Sequence, residues 1–231
     1  MCGRFQLKPE QDWMEEFGVA EPPDLTPRYN IAPTQDIVAI RRDEGGVRHA
    51  GLLRWGLVPS FAEDPAVGSH PINARAETVA RKAAFRGPFQ KRRCLVPADG
   101  FYEWRRVGRA RDPYLLKMRD GHTFAFASVW DRWGSGAGRI ESCAILTTAA
   151  NELVAPIHGR MPVVLARSDY ELWLDPEARA EDLHRILQPF PAAEMVAHPV
   201  SPRVNSAAVD DPECERPVAE APPAPVQTTL F

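Results

Sequence analysis

The second residue carries the most distinctive chemistry in the chain. Met1-Cys2-Gly3 places a small residue at position two, which permits removal of Met1 and leaves an α-amine and a thiol on one residue. Such a 1,2-aminothiol condenses with an aldehyde: the amine forms a Schiff base, and the thiol then closes a five-membered thiazolidine ring. An α-amine ordinarily has a pKa of about 7.7–8.0, so roughly a tenth or more is the free nucleophile at neutral pH. The other three cysteines, Cys94, Cys143 and Cys214, form no CxxC pair and are too few and scattered for a disulfide framework. The six histidines show no HxxxH or HxH spacing, so neither a metal nor any other cofactor is expected.

Three further side chains have suitable chemistry, each with a plainer structural alternative. Glu103 sits between aromatic residues in Gly100-Phe101-Tyr102-Glu103-Trp104. Partial desolvation there would raise its pKa toward useful acid–base values, whereas a solvent-facing carboxylate on an alternating strand is the simpler reading. His158, in Ile157-His158-Gly159-Arg160-Met161-Pro162, can exchange protons near neutral pH or serve a structural role. Asn73, before Ala74-Arg75, offers both a donor and an acceptor, or merely makes a turn.

The elements that must position these groups read as mainly β. A helix is predicted over Lys8–Phe17, with Pro9 in its first turn and Trp13 and Phe17 on one face. Strands are predicted over Asp36–Arg42 and Val47–Leu57, split by the hairpin signal Glu44-Gly45-Gly46. More follow over Arg93–Val96, Gly100–Arg106, Tyr114–Met118, Thr123–Trp130, Cys143–Thr148, Met161–Leu165 and Met195–Val200. Short helices are predicted over Thr78–Phe85, Ser168–Leu174 and Ala180–Leu187. Many short strands with few helices imply an α+β fold built on a curled, barrel-like antiparallel β-sheet.

Hydrophobic residues at 44% and charged residues at 26% place the chain in the globular range, and its 231 residues suffice for one real core. No apolar run approaches the roughly 18 residues that span a bilayer, and no export signal opens the chain, so the cytoplasm is expected. The net charge of −3 is unevenly spread: the last 26 residues hold five acids and one base. Their Pro/Ala-rich composition predicts a disordered acidic tail over 206–231, beyond a domain spanning 1–205. Conversely, Arg75, Arg81, Lys82, Arg86, Lys91, Arg92 and Arg93 fall in a stretch whose only acid is Glu77, a pattern that attracts polyanions or simply makes a solvated face.

Seven blocks in order carry a family resemblance. They are Met1–Phe5, Arg28–Pro33, Arg54–Pro59, Ile72–Thr78, Cys94–Trp104, Leu146–Asn151 and Ile157–Leu165. Across residues 1 to about 205 the chain resembles the SOS-response-associated peptidase (SRAP) family, whose members sense and crosslink abasic sites. The resemblance implies that Cys2 bonds to the ring-opened sugar of an abasic site in single-stranded DNA. It also implies self-cleavage at Met1–Cys2 and lyase activity at the lesion as a side reaction. In that scheme Asn73 holds the Cys2 amine and the sugar, Glu103 moves protons around the amine, and His158 helps open the deoxyribose ring. Arg4, Arg75 and Arg160, close to these groups, suit phosphate oxygens. Thr147 matches a family position near DNA. After Arg54–Pro59 many relatives carry tryptophan where this chain has Ser60-Phe61, leaving Phe61 as the stacking candidate, and Lys82 and Arg86 stand in for a displaced basic residue.

Two other readings start from the same residues: an N-terminal-nucleophile amidotransferase, since those enzymes also mature from Met-Cys-Gly, and a non-catalytic single-strand-binding module. The chain ends Val226-Gln227-Thr228-Thr229-Leu230-Phe231, which looks like the Q-x-x-L-F peptide that binds the bacterial sliding clamp, with Gln227, Leu230 and Phe231 as contacts. A monomer associated with the nucleoid and replication fork is the resulting expectation.

Overall fold

The computed structural model describes residues 2–8, 13–20, 23–68 and 70–219. Its core is a sheet that closes on itself. Asp36–Arg42 (β3) and Arg48–Trp55 (β4) form the expected hairpin, in register from Asp36↔Arg54 to Arg42↔Arg48. Arg93–Ala98 (β6) pairs with β3 and with Phe124–Trp133 (β9). Ile140–Ala149 (β10) then pairs antiparallel with β9 and parallel with β4, closing the ring β10-β4-β3-β6-β9. Closure removes the free edges that an open sheet would present. All six residues of β6 are buried, as is most of β9, which explains why both read as near-continuous apolar runs rather than alternating ones. The curled α+β architecture expected from the sequence is thus present, antiparallel except where β10 runs beside β4 and Asn73–Arg75 (β5). Arg160–Pro162 (β11) and Val164–Leu165 (β12) flank this sheet, one on β10 and one on β9.

A second, five-stranded antiparallel sheet has the order β13-β8-β7-β1-β2, made of Met195–Pro199, Ala110–Met118, Gly100–Val107, Phe5–Leu7 and Arg28–Ile31. The chain passes from the first sheet to the second at Asp99-Gly100. A Cβ on Gly100 would lie 2.9 Å from Leu115 Cδ1 and 3.0 Å from the Leu116 carbonyl oxygen, so a side chain there would force β7 and β8 apart. Asp99 holds the crossing by accepting from the Lys8 N–H and from Thr123 Oγ1.

Phe5 joins the two sheets. Its ring lies 5.3 Å from Trp55 and 5.8 Å from Phe126, both edge-on, and Phe101 meets Phe126 at 6.1 Å. Burying such a side chain contributes roughly 1.5–3 kcal/mol, and edge-to-face pairs add about 0.5–1.5 kcal/mol.

Among the described residues four α-helices lie outside the sheets: Trp13–Phe17 (α1), Ala83–Lys91 (α2), Tyr170–Leu174 (α3) and Ala180–Ile186 (α4). The helix expected over Thr78–Phe85 forms later. Residues up to Lys82 make turns, and α2 buries Phe85, Pro88 and Phe89, spaced i, i+3, i+4. Gly87-Pro88 hid this element, because proline breaks the local helical signal although its apolar ring packs inward. Residues 9–12 of the expected first helix lie outside the described residues. The basic run also divides. Arg93 is buried and donates to the carbonyls of Phe89, Gln90, Trp173 and Asp175, tying the ends of α2 and α3 together. Burial pulls its pKa down to about 10. Lys91 pairs with Glu177 and Arg92 with Asp131, leaving Arg75, Lys82 and Arg86 exposed.

The tail expected to leave the domain at residue 206 instead stays on it through residue 219. The buried Asn30 amide donates to the carbonyls of Val204, Ser206 and Val209. Asp210 accepts from Arg28 and from the backbone N–H groups of Tyr29 and Asn30. Cys214 packs with Tyr102, Leu115, Val200 and Val204, and Glu215 pairs with Lys8 at 2.8 Å. Low hydrophobicity concealed this segment because polar side chains, rather than apolar area, hold most of it. Residues 220–231 lie outside the described residues. Truncation after residue 205 should strip two acceptors from a buried amide and lower the unfolding free energy by about 2 kcal/mol or more. Truncation after 219 should leave it unchanged, and urea denaturation of both chains tests this.

Candidate active site

Alternation along β7 decides the first catalytic candidate. Phe101 and Glu103 share a face, and Phe101 packs on Phe126 between the two sheets. Glu103 therefore points inward and is buried, not solvent-facing. Tyr102 on the other face donates from its hydroxyl to the Tyr29 carbonyl at 2.7 Å. β1 runs beside β7 with Phe5 opposite Phe101, and the Tyr102 N–H donates to the Arg4 carbonyl at 3.0 Å, extending the pairing toward Cys2. Cys2 is completely buried. Burial pushes its thiol well above the ordinary range, and the nearby Glu103 carboxylate pushes it further, so the resting side chain is the thiol and not the thiolate.

Asn73 reaches the same place from the barrel. β5 runs parallel to β10, with Asn73 opposite Ile145 and Arg75 opposite Thr147. Asn73 Nδ2 donates to the Cys2 carbonyl at 2.8 Å. Its Oδ1 is buried without a partner among the described residues, an acceptor open to a bound group.

His158 arrives on a turn built by Asn151. Asn151 Oδ1 accepts from the Val154 N–H at 2.9 Å, its Nδ2 donates to the Phe190 carbonyl at 2.7 Å, and the His158 N–H closes on the Val154 carbonyl. The Arg160 N–H donates to His158 Nδ1 at 3.0 Å. The same Nδ1 lies 3.0 Å from the Arg160 carbonyl oxygen, so the Arg160 backbone offers it both a donor and an acceptor and holds the ring in place. His158 and Glu103 line one cavity of about 420 Å³. Burial raises the Glu103 pKa.

Cys2, Asn73, Glu103 and His158 thus converge from four separate regions of the chain. The candidate DNA contacts do not share one fate. Arg4 donates to the Val204 carbonyl at 2.7 Å and to Asn30 Oδ1 at 3.2 Å, binding it to the domain. Arg160 makes a bidentate pair with Glu77 at 2.6 and 3.0 Å and also donates to the Thr147 carbonyl and hydroxyl. Hydrogen bonding from Arg160 holds Glu77 below the usual carboxylate range. Thr147 is completely buried, so its hydroxyl supports Arg160 rather than facing outward. Phe61 is 64% exposed on a loop whose base is held by Ser60 N–H to Asp131 and by Trp133 Nε1 to the Ala62 carbonyl. Gln227, Leu230 and Phe231 lie outside the described residues. Asn151 and Glu77 stood in the quoted sequence blocks, yet their supporting roles depend on contacts that no local pattern signals.

The family model "SOS response associated peptidase (SRAP)" matches residues 1–207. The chain belongs to this family. "Abasic site processing protein YoqW" of Bacillus subtilis (strain 168) is 41% identical over 220 residues, covering 92% of this chain and 98% of that protein. "Abasic site processing protein YedK" of Escherichia coli (strain K12) is 29% identical over 228 residues, covering 94% and 100%. A crystal structure of a Bacteroides thetaiotaomicron protein superposes with a TM-score of 0.84 at 26% identity, covering 94% of this chain and all of that one. Among the described helices of this SRAP protein, none is long and apolar enough to cross a membrane.

The buried Glu103 has a measurable consequence for stability. Its folded pKa lies above the unfolded value of about 4.3. Between those two values the native state keeps a proton that the unfolded chain releases, so this site's contribution to stability falls as pH rises. Glu103→Gln should therefore match the parent near pH 4 and exceed it near pH 8 in urea unfolding. Equal stability at both pH values would show that burial does not penalise the carboxylate.

Proposed function

We propose that this chain captures abasic sites in single-stranded DNA by forming a covalent thiazolidine between Cys2 and the lesion sugar. The observation that carries the reading is that Cys2 lies against the Asn73 amide, whose Oδ1 has no partner among the described residues, and near Glu103, which shares a cavity with His158. Names of relatives such as "Abasic site processing protein YoqW" support the substrate class.

In this mechanism Cys2 becomes reactive after the Met1–Cys2 bond is cleaved, a step in which Cys2 itself takes part. His158 passes a proton to the sugar ring oxygen as the C1′ hydroxyl loses its own, and the ring opens to the aldehyde. The Cys2 amine adds to C1′ and water departs, giving the Schiff base, while Asn73 orients the residue through its carbonyl. Sγ then adds to C1′. Because burial keeps the thiol protonated, a base must take its proton at this step. Glu103 relays that proton to the nitrogen, and its raised pKa suits both halves of the transfer. Strand cleavage by elimination from the Schiff base competes with ring closure.

A denaturing gel of Met1-free protein with single-stranded DNA holding one abasic site tests this directly. A heat-stable shifted band is expected with the parent chain and absent with Cys2→Ala or intact DNA. Glu103→Gln is expected to slow its formation on the order of 10²-fold. No band, with mass spectrometry confirming that Met1 is gone, would sink the covalent mechanism. Tethering to a sliding clamp through Gln227, Leu230 and Phe231 belongs to the same proposal. Truncation after residue 219 is expected to abolish clamp co-elution in gel filtration while leaving the gel band intact; co-elution that persists would refute the tether.

A further inference from the structure

Next to the turn of the β7–β8 hairpin, two arginines face each other. Arg106 and Arg111 are direct cross-strand partners, whereas the preceding pair, Arg105 and Asp112, has opposite charges 3.7 Å apart. Like charges directly opposite on neighbouring strands are destabilising. Both arginines are exposed, and neither side chain has a hydrogen-bond or ion-pair partner among the described residues. Both also line the cavity that holds Glu103 and His158. Arg111 and Trp104 additionally line an adjoining recess of about 360 Å³ with Gly3 and Arg4. Of the three expected phosphate clamps, Arg4 and Arg160 are committed to carbonyls and to Glu77.

We infer that Arg106 and Arg111 form a phosphate clamp at the mouth of the site, gripping a phosphodiester beside the lesion sugar. The inference rests on the reading of single-stranded DNA as the ligand. Two guanidinium groups lining one cavity match the several oxygens of a phosphodiester. An anion between them also relieves the repulsion that the hairpin carries when empty. Trp104 stands between the two recesses, its Nε1 donating to Asn205 Oδ1 at 2.7 Å, and offers its ring as a wall on either side.

The test is fluorescence-anisotropy binding of a labelled single strand containing one tetrahydrofuran residue, which mimics the abasic sugar but lacks its aldehyde. For Arg106→Gln/Arg111→Gln, affinity at about 0.1 M salt is expected to fall roughly ten-fold, and the slope of log K against log salt by about 0.7, the value for one phosphate on a single strand. Neutralising the flanking phosphates in turn, as methylphosphonates, should reproduce that loss at one position in the parent and add nothing in the double variant. The melting temperature of the variant should stay at or above the parent's, because a like-charge pair has been removed. Unchanged affinity and slope, additive losses, or a lower melting temperature would each overturn the clamp. Because no covalent step enters this assay, loss of binding in the variant alongside a parent that forms no adduct with true abasic DNA would refute the covalent mechanism and keep the clamp.

Discussion

The start of the chain is built into the middle of the molecule, and the other features of the site depend on that. β1 is only three residues long, yet it pairs with both β2 and β7 and sends Phe5 between Trp55 and Phe126. A terminus normally frays, because nothing offsets the entropy of ordering it. Here pairing on both edges and a buried aromatic ring three residues from Cys2 offset that cost. The result is a nucleophilic residue with a defined position, close to groups that could not reach a mobile end.

Burial also sets the protonation states. Burial raises the pKa of both the Cys2 thiol and the Glu103 carboxyl, and the nearby carboxylate pushes the thiol further up. Cys2 is thus held as a thiol rather than as a standing thiolate. The orientation of His158 is fixed by the Arg160 backbone, whose N–H and carbonyl oxygen both lie 3.0 Å from Nδ1. Asn151 then fixes the turn from which that imidazole projects.

Arginine chemistry divides along the same lines. Arg93 and Arg4 spend their donors on carbonyls and serve the fold, and Arg160 is neutralised by Glu77 and supported by Thr147. Exposure alone distinguishes Arg75, Lys82 and Arg86 from these, and the opposed pair at the hairpin end differs again because its strand register prevents neutralisation. A count of basic residues along the chain cannot sort these cases. Each depends on which acceptor the fold places beside the guanidinium.

The sequence by itself determined the class of fold, most of the longer strands and the residue types of the site. Period-two and continuous apolar runs are local signals, and a cysteine at position two or a glutamate between aromatics is visible without coordinates. Three short strands, β1, β2 and β5, escaped notice because three or four residues are too few for a periodic signal, although β5 carries Asn73 and β1 follows Cys2. The docking of residues 206–219 was hidden as well, since its strength lies in Asn30, Asp210 and Glu215 reaching partners far along the chain. Only the tertiary structure decided that Cys2, Asn73, Glu103 and His158 meet, that Thr147 is inward and Arg160 occupied, and that Arg106 and Arg111 face each other. Those outcomes are set by strand register and sheet closure, which are properties of pairs of distant segments and not of any one of them.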